Sequence, residues 1–191
     1  MKKILIFSLL LFTISADAQN KKRALLIVDI QNFYYPGGKA ELYQPEKAGE
    51  NAKLVLEHFR EVGDLVVHIR HNFEPGGEIH AVVAPIKGEK VISKDQVNSF
   101  RDTDLQEYLQ EHEITELVIV GMQTHMCVEA ATRAAADLGY STTVIEDACT
   151  TRDLTYGDNT IKAMDVHYST LATLRSYAKV TSLKEFFHLK K

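Results

Sequence analysis

Three residues of complementary chemistry stand where predicted strands of the chain end. Asp29 and Lys94 each close a short predicted strand, and Cys127 comes six residues after Gly121, which follows a third. A thiol beside an ammonium and at the start of a helix has a lowered pKa, because both positive fields favour the thiolate. A nearby carboxylate could take the thiol proton and later return it. These residues therefore predict a nucleophile, an electrostatic partner and a general base.

The segment around the cysteine adds a second chemical feature. Residues 121–128 read GMQTHMCV, a turn that leads into an alanine-rich helix. Backbone N–H groups at the start of a helix can point at a developing negative oxygen. We therefore take the N–H groups of Gln123 and Cys127 as candidates for an oxyanion hole.

The elements that must position these residues alternate along the chain. Predicted strands cover 24–28, 65–69, 90–94, 117–120, 141–145 and 178–180, and predicted helices cover 45–62, 102–112, 126–138, 159–174 and 183–187. Continuously apolar strands that alternate with helices are typical of a parallel sheet covered on both faces. The sequence predicts one three-layer α/β domain with a mostly parallel sheet, and a ligand site beyond the carboxyl ends of the strands.

Composition excludes several other classes of protein. The chain has 191 residues, a net charge of -4 and two cysteines. It therefore has neither the basic footprint of a nucleic-acid-binding protein nor enough cysteine for a disulfide scaffold. The turn after the first strand reads DIQNF rather than G-x-G-x-x-G, so we set a nucleotide-binding Rossmann domain aside. We expect a small-molecule substrate and no nucleic-acid partner.

The first residues have the pattern of a secretory signal peptide. Lys2 and Lys3 precede an apolar run over 4–14, and 16–18 reads A-D-A. The run has 11 residues, whereas a spanning helix needs about 20. We expect residues 1–18 to be a signal peptide and 19–191 a single domain. The protein would then be exported, periplasmic or secreted, with no membrane attachment after cleavage.

The chain resembles the isochorismatase-like cysteine hydrolases, a superfamily that includes nicotinamidases, N-carbamoylsarcosine amidase, ureidoacrylate hydrolases and streptothricin hydrolase. The matching segments occur in the right order over essentially the whole mature chain: residues 24–32, Lys94 with 98–100, 103–105, 121–128, 132–135, 137–140, 147–149 and His167. The resemblance implies a Rossmann-like strand order and a homo-oligomer. It is specific for the superfamily and says little about the substrate.

The family pattern implies an Asp-Lys-Cys triad at Asp29, Lys94 and Cys127. It also implies a cis peptide between Met122 and Gln123 that aims the Gln123 N–H at the oxyanion. The implied reaction is attack of the Cys127 thiolate on a carbonyl carbon, a thioester acyl-enzyme and hydrolysis of a C–N bond in a small amide or ureido compound. Isochorismatase itself cleaves a vinyl ether and has another residue at the cysteine position, so Cys127 favours C–N chemistry.

The stretch where nicotinamidases hold a metal ion departs from the family pattern. Those enzymes have an Asp-x-His pair and a further His, whereas this chain reads His68-Ile69-Arg70-His71, with His80 beyond. Two imidazoles without the acid are a poor copy of that site. We therefore expect no metal and no other cofactor. A metal-dependent nicotinamidase and a non-catalytic small-molecule-binding member of the same fold remain the alternatives.

The substrate pocket should be small and apolar with few polar groups. Its candidate residues are Phe33, His71, His80, Asn98, Phe100, Thr124 and His125. The aromatic pair could equally belong to the core, and His125 could face an oligomer contact. A disulfide between Cys127 and Cys149 would block the nucleophile, and we favour a reduced, packed Cys149.

Overall fold

A computed structural model describes residues 22–188, so the predicted signal peptide lies outside the described residues. Six parallel strands form the central sheet: β1 (Lys22–Val28), β2 (Leu65–His71), β3 (Lys90–Lys94), β4 (Ile114–Met122), β5 (Ser141–Thr150) and β8 (Lys179–Thr181). They lie side by side in the order β3-β2-β1-β4-β5-β8.

Helices cover both faces of this sheet. They are α1 (Pro45–Val62), α2 (Leu105–Glu111), α3 (Glu129–Asp137), α4 (Ala163–Leu174) and α5 (Leu183–His188). The apolar side chains of α1 and α5 pack on one face, and those of α2, α3 and α4 pack on the other. The predicted three-layer α/β fold is confirmed.

The predicted bounds of α1 are confirmed at both ends. Pro45 occupies the first turn, where its missing N–H costs no hydrogen bond. Gly63 ends the helix with a φ of 74°, a left-handed conformation that glycine adopts without a steric penalty. Between them, Ala48, Ala52 and Phe59 recur on the buried side, as the helical period requires.

The predicted helix over 159–174 is wrong in its first part. Residues Leu154–Tyr156 (β6) and Asn159–Ile161 (β7) form an antiparallel hairpin, and α4 begins only at Ala163. Its two-residue loop is Gly157-Asp158, and Gly157 has a φ of 57°. A glycine followed by aspartate between two short β-prone runs is a hairpin signal that outweighs the weak helical period there.

The strand order places a crevice between β1 and β4. The chain continues from β1 to β2 and β3 on one side, and then returns to β4 on the other. Ligand sites of such sheets lie at this switch point, beyond the carboxyl ends of the strands. At Gly121, near the end of β4, a Cβ atom would lie 2.0 Å from the main-chain oxygen of Val28. Only glycine therefore lets the two strands approach so closely at the crevice.

Within residues 22–188, no helix is long and apolar enough to cross a bilayer.

Candidate active site

The structure brings Asp29, Lys94 and Cys127 together at the carboxyl edge of the sheet. The Nζ atom of Lys94 lies 2.8 Å from Oδ2 of Asp29 and 3.3 Å from the sulfur of Cys127. The exposed fractions of Asp29, Lys94 and Cys127 are 0%, 1% and 5%. A buried ammonium thus bridges a buried carboxylate and an almost buried thiol.

The local backbone explains how three distant residues converge. Asp29 directly follows β1 and has a φ of 52°, a conformation that residues other than glycine rarely adopt. Such strain persists only where the surrounding structure enforces it. Lys94 is the last residue of β3, and its side chain reaches past the end of β2 to Asp29. Cys127 lies in a π-helical turn over Thr124–Val128 that follows β4.

Burial decides the protonation state of the thiol. It raises the pKa of Cys127 to about 12, and the Asp29 carboxylate raises that pKa as well, while the Lys94 ammonium only partly opposes them. Our expectation of a lowered thiol pKa is therefore wrong for the free protein. The predicted helix start and ammonium are present, but desolvation of the thiolate outweighs them.

The carboxylate is placed to accept the thiol proton. Burial raises the pKa of Asp29 above its usual range, and the ammonium of Lys94 opposes that rise. Oδ2 of Asp29 accepts from Lys94. The other oxygen, Oδ1, is buried and has no hydrogen-bond partner among the residues that the structure describes. The site thus places a neutral thiol beside Asp29, whose hydrogen bond helps to raise the thiol pKa and whose Oδ1 has no other partner there.

Side chains on both sides hold the turn that precedes the nucleophile. The peptide bond between Met122 and Gln123 is cis. The Gln123 carbonyl accepts from the N–H groups of Met126 and Val128, at 3.0 and 3.2 Å. The side-chain amide of Gln123 donates to the Tyr34 hydroxyl at 3.3 Å, and the side-chain Oε1 of Gln123 accepts from Arg152 Nε at 3.2 Å.

Sequence reasoning missed Tyr34 and Arg152. Tyr34 is buried beside Phe33, the aromatic residue that was selected instead. Arg152 comes two residues after the end of β5, which the sequence analysis ended too early. The rule that selected Asp29, namely a polar residue just beyond a strand of the parallel sheet, would have found Arg152 had the strand been predicted to its full length.

Two pocket candidates in the turn over Thr124–Val128 (the nucleophile turn) make hydrogen-bond contacts within the protein. The Thr124 hydroxyl is fully buried and lies 2.8 Å from Nδ1 of His167, so it is not free to contact a substrate. His125 Nδ1 lies 2.5 Å from the Thr151 hydroxyl. Burial, together with the positive charge of Arg152, lowers the pKa of His125. Both side chains therefore tie the turn to the end of β5 and to α4.

The other polar and aromatic candidates lie in or near the core. Phe33 is buried and packs against Tyr34 and Phe73, with ring centroids 4.2 and 4.6 Å apart. Phe100 is partly buried on the opposite face of the sheet. Asn98 accepts the N–H of Phe100 with its Oδ1, at 3.0 Å, and thereby shapes the loop after β3.

The histidines do not fit the metal site of nicotinamidases. Nδ1 of His71 lies 3.4 Å from the Lys94 ammonium, which would repel a metal ion. The ring of His80 stacks on Tyr35 at 3.5 Å, and its Nδ1 accepts from the N–H of Val82. Among residues 22–188, no group of three or more His, Cys, Asp or Glu side chains could hold a metal ion.

Cys149 is a free, buried thiol rather than the partner of a disulfide. Both cysteines are free. Cys149 pairs in register with Gly121 of β4, and burial raises the pKa of its thiol to about 12. The structure thus agrees with the reduced, packed cysteine that we favoured.

A cavity of about 170 Å³ lies next to the nucleophile turn rather than over the sulfur. It opens at the end of β5 between the first turns of α1 and α4. Its wall includes Lys47, Cys149, Thr151 and His167, but not Cys127. The three residues selected from the sequence lie outside this cavity, where the Lys94 ammonium contacts both Asp29 and Cys127.

A family model and the sequences of known proteins both relate this chain to the isochorismatase family. Residues 23–177 match the family model of the isochorismatase domain. The isochorismatase family protein YddQ of Bacillus subtilis strain 168 is 45% identical over 175 residues, covering 85% of this chain and 97% of YddQ. The streptothricin hydrolase of Streptomyces noursei is 34% identical over 143 residues, covering 69% of this chain and 51% of that enzyme.

A solved structure shares both fold and sequence with this chain. It is the crystal structure of a proposed isochorismatase hydrolase from Oleispira antarctica, with a TM-score of 0.84 and 43% identity. The alignment covers 87% of this chain and 96% of that one. The resemblance therefore extends over most of both chains.

Proposed function

The chain belongs to the isochorismatase family of hydrolases, and on that premise we propose that it is a cysteine amidohydrolase that cleaves a C–N bond of a small amide or ureido compound. One observation carries the proposal. The ammonium of Lys94 contacts both Asp29 and Cys127 inside the protein, at the switch point of the sheet. A nucleophile, a base and a fixed positive charge in mutual contact suit acyl transfer to sulfur.

In the first half of the reaction, the thiol loses its proton as it attacks. Because the pKa of Cys127 is raised, Asp29 takes the proton while the sulfur bonds to the carbonyl carbon. The N–H groups of Gln123 and Cys127 are the proposed donors to the resulting oxyanion. The C–N bond then breaks, and the protonated Asp29 gives its proton to the leaving nitrogen. The product is a thioester on Cys127.

In the second half, water releases the acyl group. The oxygen of a water molecule attacks the thioester carbon while Asp29 takes a proton from that water. The C–S bond then breaks. The proton then returns from Asp29 to the sulfur, which restores the neutral thiol. Throughout the cycle, Lys94 stabilises the negative charge that alternates between Asp29 and the sulfur, because it donates to both.

The relatives support a hydrolase and leave the substrate open. Streptothricin hydrolase is named for its action on streptothricin, and it shares 34% of its aligned residues with this chain. The exposed fraction of Cys127 is 5%, which favours a small substrate that reaches the sulfur through a narrow opening. We therefore propose small primary amides and ureides as the substrate class.

The proposal is tested by ammonia release from a panel of small amides and ureides, with nicotinamide included. We expect the wild-type protein to release ammonia from at least one compound, and Cys127→Ala to release none. Dialysis against EDTA should leave the rate unchanged, because the described histidines do not form the nicotinamidase metal site. Two results would contradict the proposal: ammonia release by Cys127→Ala at the wild-type rate, or loss of ammonia release by the wild-type protein after EDTA treatment.

We also propose that the protein is exported after removal of residues 1–18 and that it forms a homo-oligomer. The charged start, the apolar run and the A-D-A site support export. The N-terminal sequence of protein recovered from cells should begin at or near residue 19. Light scattering of the purified protein should give a multiple of the subunit mass, and a monomeric mass would contradict the second part.

A further inference from the structure

We propose that His71 is a positioning residue that directs the Lys94 ammonium toward the sulfur of Cys127. The inference concerns the same site as the proposed function and rests on it for its catalytic meaning. The geometric claim itself can be tested without any substrate.

The number of hydrogen-bond donors on the Lys94 ammonium matches the number of acceptors around it. A lysine ammonium has three N–H donors and no acceptor. Three acceptors surround the Nζ atom of Lys94: Asp29 Oδ2 at 2.8 Å, Cys127 Sγ at 3.3 Å and His71 Nδ1 at 3.4 Å. Each N–H bond therefore has one acceptor. Without His71, one donor would lose its partner in a site that is closed to solvent, and the ammonium could turn away from the sulfur.

The place of His71 in the sheet brings it beside the lysine. His71 is the last residue of β2, and it pairs in register with Lys94, the last residue of β3. Because β2 lies between β1 and β3, the lysine side chain passes the end of β2 on its way to Asp29. The histidine ring stands at that point. The predicted strand ended at residue 69, and the longer β2 explains why His71 contacts the lysine.

The backbone of His71 is itself fixed by hydrogen bonds. The buried side chain of Gln31 accepts from the His71 N–H at 2.8 Å and donates to the His71 carbonyl at 2.9 Å. The same amide also donates to the Gly77 carbonyl at 2.6 Å. Gln31 stands two residues after Asp29. One short segment thus holds two groups that act on Lys94. The carboxylate of Asp29 binds Lys94 directly, and the amide of Gln31 fixes His71, which contacts Lys94.

The ordinary role for a half-buried histidine beside an active site is contact with the substrate. That role and the positioning role differ in a measurable way. A substrate contact acts on KM and varies with the compound, whereas a positioning residue changes the reactivity of Cys127 before any substrate is present. Alkylation of Cys127 by iodoacetamide reports that reactivity, because only the thiolate reacts appreciably.

The experiment measures the rate of Cys127 alkylation at pH 8.5 by peptide mass spectrometry. His71→Leu should slow alkylation by about fivefold, because the ammonium then stabilises the thiolate less well. In His71→Asn, the side-chain oxygen takes a place close to that of Nδ1, and this variant should recover most of the rate. His112→Leu is the matched control. His112 lies between α2 and the start of β4, at the amino end of the sheet, and its replacement should leave the alkylation rate of Cys127 unchanged.

A double-mutant cycle shows whether the effect passes through lysine. In a Lys94→Met background, His71→Leu should leave alkylation unchanged, because no ammonium remains to be directed. An equal effect in both backgrounds, an unchanged rate in His71→Leu, or no recovery in His71→Asn would overturn the proposal. These rates need no turnover, so they stand even if ammonia release fails. If ammonia release succeeds but the cycle shows no coupling, the function stands and the role of His71 falls.

Discussion

Oδ2 of Asp29 lies 2.8 Å from the ammonium of Lys94, whereas Oδ1 of the same carboxylate has no hydrogen-bond partner among the described residues. One oxygen thus fixes the carboxylate, and the other can serve as the base in the mechanism that we propose. Since burial and the Asp29 charge keep the Cys127 thiol protonated, the proposed nucleophile has to be generated during attack.

Replacement of the carboxylate should separate thiol reactivity from turnover. Asp29→Asn removes a charge that raises the thiol pKa and leaves the opposing ammonium in place. Alkylation of Cys127 at pH 8 should therefore become about tenfold faster, as a drop of one pKa unit would produce. Hydrolysis should fall by about 10²- to 10⁴-fold, because the general base is lost. Slower alkylation in this variant would show that Asp29 does not raise the thiol pKa.

The pH dependence of kcat/KM should show a single acid limb. Asp29 must be ionised to take the thiol proton, and burial raises its pKa above the usual range. The rate should therefore rise with pH through a pKa higher than that of an ordinary aspartate. Above that limb it should stay level up to pH 9, because the thiol pKa is about 12. A second rise, separate from the Asp29 limb and near the pKa of an ordinary thiol, would instead indicate a thiol of ordinary pKa in the free enzyme.

Removal of the ammonium should destabilise the protein in a pH-dependent way. Lys94→Met leaves the Asp29 carboxylate buried without a counter-charge, which costs about 3–5 kcal/mol in comparable sites. The pKa of Asp29 should rise further, because Lys94 is the group that lowers it most. A carboxyl group whose pKa is raised on folding stabilises the folded state most at acid pH, and that contribution is lost as the pH rises. In urea unfolding, the deficit of Lys94→Met relative to wild type should be smaller at pH 4 than at pH 7. An equal deficit at both pH values would argue against a buried, unpaired carboxylate.

Ionisation of Cys149 should reduce stability only in alkali. Its folded-state pKa is raised to about 12 by burial, so unfolding is favoured once the pH exceeds the pKa of an unfolded cysteine. Between pH 8 and 11, wild type should lose about 2–3 kcal/mol more of its unfolding free energy than Cys149→Ala. The variant should also retain hydrolase activity, since Cys149 is not part of the proposed site. Parallel pH curves for the two proteins would contradict a buried thiol at this position.

The sequence was informative where a single strand or helix determines the answer. The apolar run before Asp29 and the helical period from Pro45 to Val62 were sufficient to place the first strand and helix correctly. The sheet rule also indicated which edge would carry Asp29, Lys94 and Cys127.

The remaining features depend on distances between elements, which no local pattern contains. His71 contacts Lys94 because β2 continues beyond its apolar run to pair with all of β3. Arg152 reaches Gln123 because β5 continues past Ile145 to Thr150. The protonation state of Cys127 depends on the balance of burial against two charges, and this balance follows only from the packed structure.

Detection of the acyl-enzyme tests the central claim most directly. The wild-type protein would be mixed with a compound from which it releases ammonia, quenched in acid within the first turnovers and digested. Mass spectrometry should show the acyl group on the peptide that contains Cys127, and no adduct should form on the Cys149 peptide. An adduct on a residue other than Cys127, or turnover by Cys127→Ser at the wild-type rate without any adduct, would contradict the account.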